Sequence, residues 1–324
     1  MNIFITGGTD FVGSYLCVEL LKNSVNNLYV LSRSSKYQTA EERVLTTIST
    51  IIDAADDTWK QRIHVITGDL AYENLGIDEN LYTDLCGKIN VIYHCAASID
   101  FPLDYAEAYK INVLGTKAIL SFMENIQATV FERLNYISTA DISQLSDKPW
   151  TEMDLNAEAN MYEQTKVEAA FILRNYIEKG YPIIIHSPSI VNSSSKDSFT
   201  QENNIVFKFI KLLNRERLPQ FFDTDDSSVN LVPVDYFVKS MVYLNESDEN
   251  IGKTIHLVSP QNVLVKDVIQ SITRYLNVKC PAFISFDDSF NDANKINYIF
   301  HYINHSHQFD NHYTQSHHEK VHSL

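Results

Sequence analysis

The stretch Asn2-Ile-Phe-Ile-Thr6-Gly7-Gly8-Thr9-Asp10-Phe11-Val12-Gly13 governs how the rest of the chain is read. A short apolar run ends in a glycine-rich turn. Phe11 to Lys22 then carries Val12, Leu16 and Leu20 at helical spacing. Strand, turn and helix in that order suit a dinucleotide. Gly7 allows the tight turn, Gly13 lets helix and sheet approach, and the helix N-terminus presents N–H groups and a positive dipole end to a pyrophosphate. The pattern is Gly-x-x-Gly-x-x-Gly with its middle glycine replaced by Asp10. A carboxylate there adds bulk and negative charge: two unit charges at about 4 Å repel by ~1 kcal/mol in water and more in a drier site. Either the cofactor binds weakly, or Asp10 turns outward, or the site has lost its ligand.

Glycine is scarce, nine in 324 residues, so three within seven positions carry information. Working outward, the strand and helix signals alternate. Leu28–Leu31, Ile63–Ile66, Val91–His94, Leu134–Ile137 and Ile183–His186 read as further strands. Thr39 to Ala55, Tyr105 to Asn125 and Met161 to Glu178 read as helices, with Thr39 and Glu42 forming a capping box. Near-continuous apolar strands alternating with helices predict an α/β protein, a doubly wound parallel sheet of Rossmann type. Residues 1–190 form the expected dinucleotide-binding domain. Residues 191–300 form a smaller C-terminal substrate lobe, with segments returning to the first domain. The tail 301–324 holds seven of the eleven histidines and reads as flexible. An opportunistic metal-binding tract is the other reading of that tail.

The chain has 26 basic and 41 acidic residues, net −15. That charge repels nucleic acid and anionic membrane surfaces. Cys17, Cys86, Cys95 and Cys280 show no CxxC or zinc spacing, so no metal site is expected and a cytoplasmic location is the simplest. The N-terminus lacks signal-peptide features, and no apolar run is long enough to span a bilayer.

Three further places carry chemistry. After the second strand, Ser32-Arg33-Ser34 puts a cation where an acidic residue would select NAD, which suits the 2′-phosphate of NADP. Gly68-Asp69-Leu70 lies where an adenine edge would sit. His94-Cys95-Ala96-Ala97 follows the fourth strand with small residues along the cofactor's path, and His94 reads as a satisfied strand-end histidine more readily than as a catalytic one. Finally, Tyr162 and Lys166 lie four apart on one helix face. A nearby ammonium lowers a phenol pKa from about 10 and makes it a usable proton donor to a developing alkoxide. Upstream, Ser138-Thr139 ends a strand, where a hydroxyl can hold the same oxygen.

In their order these stretches resemble an extended short-chain dehydrogenase/reductase. The likeness is nearest to the thioester reductases: the reductase domains of nonribosomal peptide synthetases and carboxylic acid reductases, with their fatty acyl-CoA reductase (male sterility) relatives. Thr6-Gly-Gly-Thr-Asp-Phe-Val-Gly13, Val30-Leu-Ser-Arg-Ser-Ser35, Asn112-Val-Leu-Gly-Thr116, Tyr136-Ile-Ser-Thr-Ala140, Tyr162-Glu-Gln-Thr-Lys166 and Leu231-Val-Pro-Val-Asp-Tyr-Phe237 carry it, over roughly residues 1–290. The resemblance implies Thr139, Tyr162 and Lys166 as catalytic residues. It implies a cofactor site of Thr6, Gly7, Thr9, Asp10, Phe11, Val12, Gly13, Arg33, Asp69, Leu70, Ala96, Ala97, Lys166, Pro188 and Ser189, and a structural role for Asn112. The chain departs from the family pattern at Asp10, at Ser187-Pro188-Ser189 where Arg-Pro-Gly is common, and at Asn192 where glycine often follows.

The resulting expectation is an NADPH-dependent reductase of an acyl thioester to an aldehyde. No adenylation segment or carrier motif is visible, so acyl-CoA or an acyl carrier protein would arrive in trans; a homodimer is compatible. Two alternatives stand beside it. One is a nucleotide-sugar epimerase or dehydratase, which Arg33 disfavours. The other is a catalytically degenerate NAD(P)-binding protein, favoured by Asp10 and Ser187 and opposed by Thr139, Tyr162 and Lys166.

Overall fold

The computed structural model describes residues 1–53, 57–98, 105–142, 161–195, 205–215, 220–222 and 227–284. The histidine-rich tail lies outside them.

Apolar residues at every position of the central strands call for burial on both faces, and a parallel sheet covered by helices supplies it. Strands β1 (Asn2–Thr6), β2 (Asn27–Ser32), β3 (Ile63–Thr67), β4 (Val91–His94), β5 (Arg133–Ile137) and β6 (Ile183–Pro188) join one sheet. A late strand, Thr254–Leu257, completes it, and the order is β3-β2-β1-β4-β5-β6 followed by that strand. All six pairings are parallel. The order reverses at β1, leaving a crevice between the C-terminal ends of β1 and β4.

Helices α1 (Phe11–Leu21), α2 (Ala40–Ser49), α3 (Glu79–Cys86), α4 (Tyr105–Tyr109), α5 (Gly115–Asn125) and α6 (Met161–Glu178) cover the sheet. Alternation along β1 divides the core in two. Ile3 and Ile5 pack with Leu16, Val30, Val44 and Tyr93 on one side. Phe4 packs with Leu85, Ile92, Phe122, Leu134 and Leu173 on the other. The capping box of α2 is present, with the Thr39 side chain and Glu42 each bonding the other's backbone N–H. Its helix ends at Ser49, sooner than the sequence spacing predicts, and the end of that expected segment is outside the described residues.

Between α4 and α5 a π-helical turn, Lys110–Leu114, widens what the sequence reads as one continuous helix. β6 also runs two residues past the expected His186, so Ser187 and Pro188 are sheet residues beside His256 and Leu257.

Beyond β6 come β7 (Ile190–Asn192), α7 (Ile205–Asn214), β8 (Gln220–Phe222), β9 (Ser228–Val229), β10 (Leu231–Pro233) and α8 (Val234–Asn245). The late sheet strand is β11, and β12 (Val263–Leu264), α9 (Val265–Leu276) and β13 (Ala282–Ile284) follow it. α8 returns to pack on α1, and its Phe237 and Met241 enter the first core. Phe209, Leu213, Phe221, Val265 and Ile269 make a separate small core. No helix among the described residues is long and apolar enough to cross a membrane.

Candidate active site

The glycine turn sits at the crevice because its backbone has no room for side chains. Gly7 has φ +72°, and a Cβ there would lie 2.7 Å from the Ala96 nitrogen. A Cβ on Gly13 would lie 2.1 Å from the Gly7 carbonyl oxygen. Helix and strand therefore meet closer than alanine allows. Asp10 is exposed and extended (φ −91°, ψ 168°), and its N–H donates to the Gly7 carbonyl at 2.9 Å. It caps no N–H of α1 with its side chain. The position does not demand glycine's backbone freedom, and the residue is exposed.

Thr6, buried at the end of β1, holds the turn to the next strand. Its hydroxyl lies 2.7 Å from Nδ1 of His94 and accepts from the Ala96 N–H at 3.2 Å. Ala96 and Ala97 are half-buried beside it, Phe11 is buried and Thr9 and Val12 are half-buried. His94 is the satisfied histidine expected from the sequence. Its other nitrogen lies 3.5 Å from the Thr116 hydroxyl, and burial, with the nearby Lys166 charge, pushes its pKa down to about 3.

At the end of β2, Arg33 is 64% exposed along its side chain and pairs with Asp69 at 3.5 Å. Leu70 is half-buried next to it. The sequence does not single out Arg43. From α2 its guanidinium donates to the Arg33 carbonyl and, at 3.5 Å, to the Thr9 hydroxyl. Two arginines thus flank the end of β2 and the glycine turn. Only the ten-residue separation from Arg33 marks Arg43 in the sequence, and that spacing means nothing until α2 folds back.

The second half of the site lies at the ends of β5 and β6. Lys166 is 3% exposed; its ammonium donates to the Ile137 carbonyl at 2.9 Å, lies 3.5 Å from the Tyr136 hydroxyl and sits over the Tyr136 ring. Thr139, 6% exposed, follows β5 two residues after that carbonyl. Tyr162 is half-buried one turn before Lys166. Asn112, on the π turn, fixes this helix end. Its amide accepts from the Ser98 N–H at 2.8 Å and donates to the Thr165 hydroxyl at 2.9 Å, while Thr165 donates to the Tyr162 carbonyl at 2.8 Å. Pro188 and Ser189 are buried at the end of β6, and the Ser189 hydroxyl has no hydrogen-bond partner among the described residues.

His186, fully buried on β6, lies 2.9 Å from the Asn135 side chain, and burial pushes its pKa down to about 3. An unfolded histidine titrates near 6.5. Below that pH the unfolded chain takes up protons that folded His94 and His186 refuse. Stability is therefore full above about pH 6.5 and falls as pH drops towards 3, by at most ~1.4 kcal/mol per pH unit for each ring. Urea unfolding is expected to show a lower midpoint at pH 5 than at pH 7.5, with a shallower pH dependence in His186→Gln. Equal midpoints would contradict this assignment.

A glycine turn feeding a helix at the switch point of a parallel sheet, with arginines beyond β2, defines a dinucleotide-binding Rossmann protein. The first-turn N–H groups of α1 and the two arginines fit a nicotinamide dinucleotide. Residues 5–241 match the model of the family described as Male sterility protein, and the chain belongs to that family. The chain is similar to a linear gramicidin synthase component of Brevibacillus parabrevis, 24% identical over 83% of this chain and 5% of that one. It is also similar to L-2-aminoadipate reductase of Saccharomyces cerevisiae, 25% identical over 85% of this chain and 21% of that one. It thus spans about a fifth or less of these curated relatives. Among solved structures, the terminal R domain from the myxalamid PKS-NRPS biosynthetic pathway superposes with a TM-score of 0.77 at 25% identity, covering 93% of this chain and 77% of that one.

Proposed function

We propose that this chain is an NADPH-dependent reductase that converts an acyl thioester, held on coenzyme A or a carrier protein supplied in trans, to an aldehyde. One observation carries the reading: a buried ammonium, Lys166, one helical turn from Tyr162 and anchored to the Ile137 carbonyl two residues before Thr139. Burying a charge is costly unless it is bonded, and such a group marks a functional site. Residues 1–190 serve as the dinucleotide-binding part, and residues 191–300 as the lobe that borders the substrate.

Bound NADPH supplies hydride to the thioester carbonyl carbon. Thr139 and Tyr162 donate hydrogen bonds to the carbonyl oxygen as negative charge develops there. Tyr162 then gives up its phenolic proton, and the Lys166 ammonium stabilises the phenolate left behind. Collapse of the hemithioacetal breaks the carbon–sulfur bond and releases aldehyde and thiol. Asn112 acts through Thr165 to hold the end of α6 and so positions Tyr162.

Arg33 and Arg43 contact the 2′-phosphate, which makes NADPH the preferred cofactor over NADH. Asp10 weakens both equally. Fluorescence titration tests this. NADPH is expected to bind at least tenfold tighter than NADH, and Asp10→Gly to tighten both about fivefold, from removal of ~1 kcal/mol of repulsion. Equal affinity for the two cofactors would remove the assignment of the arginines. No binding by the native chain, with binding restored by Asp10→Gly, would overturn the enzyme reading.

A further inference from the structure

A cavity of about 150 Å³ lies against the sheet on the α6 side and is lined by Ser138, Thr139, Ser187, His256, Thr254 and Arg174 among others. Its floor follows from register. Ile137 pairs with His186, so Ser138 stands beside Ser187, and Ser187 in turn pairs with His256. The Ser138 N–H donation to the His186 carbonyl at 2.8 Å continues that pairing past the end of β5. Three polar side chains therefore form a row across adjacent strands, spaced by the ~4.8 Å of a sheet. Ser138 is 4% and Ser187 2% exposed. The Ser138 hydroxyl is buried without a hydrogen-bond partner among the described residues. A buried hydroxyl left unpaired is unfavourable, and a ligand acceptor in the cavity would satisfy it.

Resting on the thioester-reductase reading, we propose that this cavity is the acyl subsite and that it selects a short acyl group with a polar acceptor, a hydroxyl or carboxylate, on its third or fourth carbon. Three observations fix the class. Thr139 lines the cavity, so an acyl carbonyl held by Thr139 directs its chain inward. Ser138 immediately precedes Thr139 and Ser187 lies one strand spacing from Ser138, so their hydroxyls are within reach of the third or fourth carbon. The volume is about half of the ~300 Å³ at which typical ligand pockets begin, too small for a long alkyl chain.

Calorimetric titration of the full chain with butyryl-, 3-hydroxybutyryl-, succinyl- and dodecanoyl-CoA, followed by NADPH oxidation with the same four, tests the proposal. The hydroxylated and succinyl thioesters are expected to bind about five- to tenfold tighter than butyryl-CoA, with dodecanoyl-CoA weakest. Ser138→Ala and Ser187→Ala are each expected to shrink that preference several-fold, read as the ratio of 3-hydroxybutyryl-CoA to butyryl-CoA affinity in the same variant. If thioesters bind and are reduced but rank by chain length alone, or the serine variants leave the ranking intact, the subsite is wrong and the reductase reading stands. If NADPH binds and neither these thioesters nor the same acyl groups on an acyl carrier protein bind or are reduced, both fall. The native ranking decides the matter even where a variant does not fold.

Discussion

Tyr162→Phe is expected to lower thioester-dependent turnover about 10²–10⁴-fold, the range that general acid catalysis spans. Thr139 remains to hold the oxygen, but no group is left to deliver the proton. The phenol hydroxyl contributes to the developing alkoxide and little to the bound cofactor, so NADPH affinity should change less than about twofold. Lys166→Met should act on the same step with an added signature. The native ammonium is buried and donates to the Ile137 carbonyl. Without it, the pH at which the phenol ionises rises, so the loss of residual activity at high pH should move to higher pH than in the native chain. A Lys166→Met protein with an unshifted pH profile would mean that the ammonium is only a structural tie.

The second large effect is at Gly13. Adding one methyl places a Cβ 2.1 Å from the Gly7 carbonyl oxygen, and both partners are backbone. Neither can rotate away, so α1 must move off β1. Overpacking of this kind destabilises by ~1–3 kcal/mol or more. Gly13→Ala is thus expected to lower the melting temperature by several degrees and to weaken dinucleotide binding at least 100-fold, because the first-turn N–H groups no longer converge. Gly180→Ala is the contrast. Gly180 has φ +89° yet nothing within 4 Å of an added Cβ. It should lose stability through backbone strain with no selective loss of cofactor affinity. Gly13→Ala protein that binds NADPH normally would contradict the close-approach argument.

The fold's spine is legible in the sequence because its signals are local. Apolar runs, the glycine turn and the Thr39–Glu42 box each lie within a few residues, and β1, α1 and α6 form where the sequence puts them. What escapes depends on distant partners. The place of the strand Thr254–Leu257 beside β6 is set by pairing across about seventy residues. The π turn changes no hydrophobic pattern; it slips the ladder by one residue around Asn112. α3 is eight residues long, too short for periodicity to stand out. In the site, Lys166 and Tyr162 announce themselves by helical spacing. Arg43 does not, because its reach to Arg33 and Thr9 exists only once α2 packs beside the turn. The meaning of Asp10 also changes with structure, since the sequence shows a missing glycine in the loop and only the backbone shows an extended conformation that any residue can adopt there. Likewise, Ser187 reads as a loop residue until β6 is seen to continue through Pro188, which turns it into part of a cavity floor.

The central claim is hydride transfer from NADPH to a thioester carbonyl carbon. The most direct measurement uses NADPH deuterated at the transferring position of the nicotinamide, with 3-hydroxybutyryl-CoA and a hydrazine trap for the aldehyde. The account predicts one deuterium at the aldehyde carbon for each NADPH oxidised and each free coenzyme A released. NADPH oxidation with no label in an aldehyde, or release of coenzyme A without NADPH oxidation, would contradict it.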